Sequence, residues 1–403
     1  MKETPPPGDL DLADERDAPL SLWWESIGRT AELIEAFDAQ NIGTSKNKRT
    51  VCSMALSLTR EAIGQGRAVS YSRRKEWYVR RPAIYRNPLY TYGQITKAAD
   101  FLAAQGLVEH FKAPPRNYGY QSTIRARPEL VELTWPILAD KVRIVRPAST
   151  IWLKDENKDL ISFAPTGRTG KMQRELDAQN EAILSIDFGG TLPGHSFLVR
   201  IFNNGSFSQG GRAYALDGAW QTLPEEERKR LIINGEPVVE IDYVQLHAAL
   251  AYMKLGIAAP LDAYTVIGYP RDLVKIAFNV MLNCQSPTAA RRSLAQKPIL
   301  LDHLLQAQGA NADAYNFCGR LVEAIENRHA PISSLFYSGV GLALQRVDSE
   351  MAGLAMRDMR KRGVPVLPVH DSLIMPASAE NFGHEAMEAA AQKMGVHANL
   401  KVA

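Results

Sequence analysis

The stretch Val366-Leu-Pro-Val-His-Asp-Ser-Leu-Ile-Met375 constrains this chain more than any other, because two apolar runs flank a polar tip, His370-Asp371-Ser372. Short apolar runs bounded by turn residues read as buried strands, and Asp is a common residue of tight turns. A hairpin is predicted, with a carboxylate held at its tip. Far upstream, Val238-Val-Glu-Ile-Asp242-Tyr-Val-Gln-Leu-His-Ala-Ala-Leu250 ends an apolar strand at Asp242 and passes into a helical pattern. Two strand-borne Asp residues so distant in sequence predict one shared site, and carboxylates converging from two strands suit a divalent metal.

Between them lies Pro270-Arg271-Asp-Leu-Val-Lys275-Ile-Ala-Phe-Asn279-Val-Met-Leu-Asn283. Pro at the start and the 4-residue spacing put Arg271, Lys275, Asn279 and Asn283 on one helical face, two cations followed by two amides. Phosphoryl transfer from a nucleoside triphosphate needs metals held by carboxylates and cations on the phosphates, with little covalent chemistry from the protein. Each residue also has a plainer reading. An Asp after a strand is commonly a helix N-cap, an Arg/Lys pair is commonly a solvated face, and His-Asp commonly closes a turn. Their occurrence together and in order favours the catalytic reading.

These segments resemble the family A DNA polymerases and their relatives, the single-subunit RNA polymerases of phages and mitochondria. Asp242-Tyr-Val-Gln-Leu-His is similar to the first palm motif, Asp-Tyr-Ser-Gln-Ile-Glu, and Arg271-x3-Lys275-x3-Asn279 to the fingers-helix motif. His370-Asp371-Ser372 resembles the last palm motif, His-Asp-Glu in the DNA enzymes and His-Asp-Ser in the RNA enzymes. Gln345 to Met356 is similar to the helix that precedes that motif, and Gly210-Gly-Arg212-Ala-Tyr214 to a Gly-Arg element near the primer end. A helix over about Ala379 to Lys393 and a strand over Asn399 to Ala403 follow the family's ending. The resemblance covers roughly Arg200 to Ala403 and suggests a small divergent member of phage or prophage type.

It implies an α+β fold, a polymerase-type palm with reduced fingers, and nucleotide addition to a 3′ end, as a DNA-directed DNA polymerase. Asp242 and Asp371 are then expected to bind two Mg²⁺ ions, for which Mn²⁺ can substitute, with the backbone carbonyl of Tyr243 beside them. Arg271 and Lys275 are expected on the triphosphate, Lys275 also as the acid for departing pyrophosphate. Asn279, Asn283 and His247 are expected near the incoming nucleotide, and Arg212, Gln345 and His370 near the primer or template. Three departures stand out. His247 occupies the place of the Glu that excludes a ribose 2′-hydroxyl, Asn279 that of a base-stacking residue, and Asn283 that of a Tyr. An RNA polymerase or primase on the same palm is the alternative, favoured by His-Asp-Ser and the missing Glu. A non-catalytic winged-helix DNA-binding regulator is the rival from another class.

Composition frames this reading. With 403 residues, 45% apolar and 23% charged, the chain has the makeup of a globular protein of two or three domains. No apolar run is long enough for a membrane span, and Met1 to Leu20 is Pro-rich and acidic, unlike a signal or transit peptide. A disordered tail over residues 1–20 is expected. Three Cys without metal-ligand spacing fit a reducing, cytoplasmic setting.

Charge is unevenly spread. Ser45 to Thr150 carries 19 Lys/Arg against 7 Asp/Glu, which predicts a polyanion partner, DNA or RNA. Arg73, Arg74, Lys75, Trp77, Arg80 and Arg81 interleave cations with aromatics, the mixture that binds single strands. A helix from Thr91 to Gly106, a strand, a basic turn and a strand from Gln121 to Ala126 outline a winged helix, with Lys112, Arg116, Arg125 and Arg127 on its wing. The predicted organisation is thus an acidic tail, a basic helical and winged-helix domain over 21–150, a connector over 151–199, and the palm and fingers over 200–403. Within the connector, Pro165 to Gly170 is expected to be a loop, followed by a polar helix near Lys171 to Ala182 carrying Lys171 and Arg174.

Overall fold

In a computed structural model of the chain, which describes residues 24–64, 68–79, 82–114, 121–139, 142–192, 195–216, 218–308 and 313–402, the runs around Asp371 fold back on each other as two antiparallel strands. The expected tail lies outside the described residues. The chain divides into two units, the first holding residues up to Trp152, Leu160–Val199 and Ala215–Leu223, the second Leu153–Asp159, Arg200–Tyr214 and Pro224–Ala403. Helices and strands mix in both, an α+β protein, and no described helix is long and apolar enough to cross a membrane.

In the first unit, helix Ser45–Gly64 is buried on all sides from Val51 to Thr59 and packs against helices Tyr92–Ala104 and Pro128–Leu138. Strands Val69–Tyr71, Val108–Phe111 and Ser122–Ala126 form a three-stranded antiparallel sheet with Ser122–Ala126 in the middle. One expectation is corrected. Pro165 to Gly170 is not all loop, because a helix spans Gly167–Leu184. Thr166 caps it by accepting from the Thr169 amide, while Thr169 Oγ1 accepts from the Thr166 amide, a reciprocal capping box that opens the helix.

Along the second unit run β1 (Ser206–Ala215), β2 (Glu236–Tyr243), α1 (Leu246–Lys254), α2 (Arg271–Asn283), α3 (Gly341–Lys361), β3 (Leu367–Val369), β4 (Ser372–Pro376), α4 (Glu380–Lys393) and β5 (Leu400–Val402). The sheet order is β3-β4-β2-β5, antiparallel throughout, with Ile232–Ile233 pairing the start of β2. Asn234 and Gly235, both at positive φ, make the tight turn into β2, the conformation an Asn-Gly hairpin favours. Every residue of β4 is buried, and α3 and α4 pack on each other and against it. Gly383 of α4 lies so close to the sheet that a Cβ there would stand 2.3 Å from Met375 Sδ and 2.8 Å from Ile241 Cδ1. Buried Ile241, Leu373, Ile374, Met375 and Met387 form this core.

Inside the sheet, Glu240 is buried and accepts from Arg228 Nε at 2.8 Å and from Ser372 Oγ at 2.6 Å. The Ser of His-Asp-Ser is therefore committed to the sheet. Arg228→Met would leave the Glu240 charge without its cation, so a loss of roughly 3–5 kcal/mol is expected in denaturant titration. A loss under about 1 kcal/mol would show that the pair is dispensable.

Candidate active site

Strand β2 delivers Asp242 and the β3–β4 tip delivers Asp371. Ile241 pairs with Leu373, so Asp242, the next residue, and Asp371, two before Leu373, emerge at the same end of neighbouring strands. His370, just before Asp371, takes a left-handed conformation at φ 58° that turns the tip. Asp242 is 28% exposed and Asp371 27%, which leaves both carboxylates open to a ligand yet partly withdrawn from water. Burial first, and then the charge of Asp371, raise the Asp242 carboxyl to about 6, while Lys401 and Lys275 pull the other way.

Lys401 is the cross-strand partner of Asp242, with Nζ 3.8 Å from Oδ2. Lys275 stands exposed on α2, close enough for its charge to act on Asp242. Arg271, one turn earlier, is held elsewhere. Its Nε donates to Asp262 Oδ2 at 3.1 Å, and its guanidinium lies 5.3 Å over the Tyr264 ring. The face predicted for α2 is real: Arg271, Lys275 and Asn283 are exposed, while Leu273, Val274, Ala277, Phe278 and Met281 are buried.

Beside the carboxylates lies a second cluster, half-buried except for its buried Asp348. Arg212 of β1 donates through Nε to Asp348 Oδ2 at 3.0 Å, through Nη2 to the same carboxylate, and through Nη2 to His247 Nε2 at 3.0 Å. The same Nη2 is 3.8 Å from Asp371 Oδ1. His247 Nδ1 is 3.0 Å from Asn279 Oδ1 on α2. A guanidinium only donates, so Nε2 accepts from Arg212 and Nδ1 carries the proton given to Asn279; this tautomer follows from the network. Arg212 is held more firmly protonated than usual by Asp348, against the cost of burial.

The other predicted site residues fall as follows. His370 is exposed, its ring edge-on to Tyr214 at 5.9 Å. Gln345 is half-buried on α3, one turn before Asp348. The Tyr243 side chain is buried, its hydroxyl donating to Met387 O at 2.6 Å. Asn283 Nδ2 donates to Asn279 O at 2.8 Å, and its side chain lies where a Cβ on Gly341 would collide.

In the first unit, Arg73 and Lys112 both pair with Asp100 at 2.8 Å and Arg125 pairs with Glu109 at 3.5 Å. The Asp100 carboxyl is held down at about 2, chiefly by its hydrogen bond from Arg73. These three cations thus serve pairs within the unit. Lys75 and Trp77 are exposed, as is Arg74, and Trp77 keeps 45% of its surface. Arg80, Arg81 and Arg116 lie outside the described residues.

Sequence reasoning missed Asp348, Asp262 and Lys401. Asp348 had a signal, because Leu344, Met351 and Ala355 trace the buried stripe of α3 and a carboxylate stands on it. The other two depend on pairings that only the folded chain reveals.

A divalent metal fits the donor set. Among the described residues no group of three or more His, Cys, Asp or Glu gathers, so the two carboxylates would share an ion with backbone carbonyl, water and phosphate oxygens. Mg²⁺ is commonly held that way, through one or two carboxylates plus substrate phosphates. A bound cation would offset both the burial and the Asp371 charge that raise the Asp242 carboxyl.

Comparison with known proteins finds no family whose pattern matches this chain and no curated protein that matches it.

Proposed function

We propose that the second unit is a polymerase-type nucleotidyltransferase that adds nucleotides to a nucleic-acid 3′ end, and that the chain acts as a DNA-directed DNA polymerase. The observation that carries this reading is the convergence of Asp242 and Asp371 at one end of neighbouring strands, with the Lys275 charge reaching Asp242. In the reaction the 3′ hydroxyl gives its proton to solvent, its oxygen bonds to the α-phosphorus, the bond from that phosphorus to the bridging oxygen breaks, and pyrophosphate leaves. A divalent metal, when bound, supplies Lewis-acid stabilisation of the attacking and leaving oxygens.

The chain's own residues divide the remaining work. Asp242 and Asp371 set the negative charge that draws the cation and fix where it sits. Lys275 offsets triphosphate charge and stands as proton donor to the leaving pyrophosphate. Arg271 reaches a phosphate by giving up Asp262, an exposed pair worth about 0–1 kcal/mol, for a stronger charge-assisted contact. His370 and Gln345 are assigned to the primer and template. The first unit, read as a winged helix from its helix and strand order, is assigned to duplex or primer, with Lys75, Arg74 and Trp77 as its exposed contacts.

Binding of a dNTP to the full chain tests the triphosphate assignment. With Mg²⁺ present, Lys275→Met is expected to weaken affinity about 10- to 100-fold, the value of a charge-assisted hydrogen bond. An unchanged Kd would remove Lys275 from the site.

A further inference from the structure

We propose that Asp348 is a positioning residue: its buried carboxylate holds the Arg212 guanidinium beside Asp371 without letting it close on Asp371, and so keeps Asp371 open to a divalent cation. This rests on reading Asp242 and Asp371 as the metal pair.

The geometry is unequal in a telling way. Arg212 meets Asp348 through both Nε and Nη2, with Nε at 3.0 Å, but reaches Asp371 only at 3.8 Å through Nη2. A two-pronged, charge-assisted pair fixes the guanidinium plane as well as its position. Asp348 also matches the Arg212 charge, so the guanidinium does not neutralise Asp371. Arg212, so held, donates to His247 Nε2, and His247 Nδ1 donates to Asn279, so Asp348 holds β1 directly and reaches α1 and α2 through Arg212.

A merely structural role explains less. The Asp348 side chain is fully buried, on a stripe whose neighbours Leu344, Met351 and Ala355 are apolar. Apolar residues commonly replace a buried ion pair with no loss of stability, so packing alone gives no reason for a carboxylate here.

The test is Mn²⁺ binding to the full chain, read as the loss of the free-ion paramagnetic resonance signal. Wild type is compared with Asp371→Asn, Asp348→Asn, Arg212→Lys and the double variant Arg212→Met/Asp348→Asn. Asp371→Asn is expected to lose the site. Asp348→Asn is expected to weaken binding about tenfold, because the freed guanidinium settles on Asp371 and competes with the ion. The double variant, which removes that competitor, is expected to return to within about threefold of wild type. Arg212→Lys keeps the charge but not the two-pronged hold and is expected to weaken binding as well, which decides the matter should Asp348→Asn not fold. Unchanged affinity in Asp348→Asn, or a double variant as weak as it, would overturn the positioning role and leave the proposed function standing. A wild-type chain with no Mn²⁺ site sensitive to Asp371→Asn would overturn both.

Discussion

Asp371→Asn is expected to abolish nucleotide addition while leaving the fold intact. Asp371 sits half-buried at a turn, a position that Asn tolerates as well as Asp. Its nearest ion-pair partner is Arg212 at 3.8 Å, a separation too long for a hydrogen bond, so little native structure depends on its charge. Catalysis depends on it heavily under the proposed reading, because a neutral amide cannot hold a cation where charge develops in the transition state. A fall of at least about 1000-fold in extension rate is expected, on the order of 4 kcal/mol in the barrier. Steady-state extension measured beside a thermal melt checks both halves. A variant that keeps a tenth of the wild-type rate would mean that Asp371 is not a metal ligand.

Asp242→Asn is expected to be inactive and, without metal, more stable than wild type. The Asp242 carboxyl is raised to about 6 in the folded chain from an ordinary value of 3.8, chiefly by burial and then by Asp371. The sign follows from linkage. Below the ordinary value both states carry the proton. Between there and about 6 the folded chain keeps a proton that the unfolded chain releases, so stability falls as pH rises through this window. Above about 6 the folded chain carries an unfavourable charge that costs about 3 kcal/mol. Asn has no such charge. In metal-free buffer the variant should therefore melt higher than wild type at pH 7.5, and the gap should close by about pH 4. Mg²⁺ should raise the wild-type melting temperature at pH 7.5, much less at pH 5, and not at all in the variant. A variant less stable than wild type at pH 7.5 would mean that Asp242 is satisfied within the protein and has no need of a cation.

What the sequence made legible was local. The hairpin around Asp371, the strand into Asp242 and the amphipathic helix of Arg271 and Lys275 follow from apolar periodicity and turn residues, and the chain forms each of them. The convergence of Asp242 with Asp371 was legible only as an expectation, because it depends on the pairing of Ile241 with Leu373, a contact between distant segments. The segment Pro165 to Gly170 reads as a Gly/Thr loop in sequence, whereas Thr166 and Thr169 satisfy each other's amides and open a helix at Gly167. Charged residues were hardest to place. Arg73, Lys112 and Arg271 looked like free cations in sequence, yet Asp100 and Asp262 take them up once the chain folds. Asp348 went unseen although it stands on the apolar stripe of Leu344, Met351 and Ala355, because its partner Arg212 lies on a distant strand.

Whether Asp242 and Asp371 form a metal-dependent nucleotide-adding site is decided by primer extension. The full chain is given a primed DNA template, Mg²⁺ and dNTPs, with rNTPs in a parallel lane and Asp371→Ala beside each. Template-directed extension with dNTPs that vanishes in Asp371→Ala and on chelation of the metal is the predicted result. No extension with either nucleotide set, with Mg²⁺ or Mn²⁺, from a protein that still binds duplex DNA, would contradict the account and leave a DNA-binding protein whose paired carboxylates serve some other end.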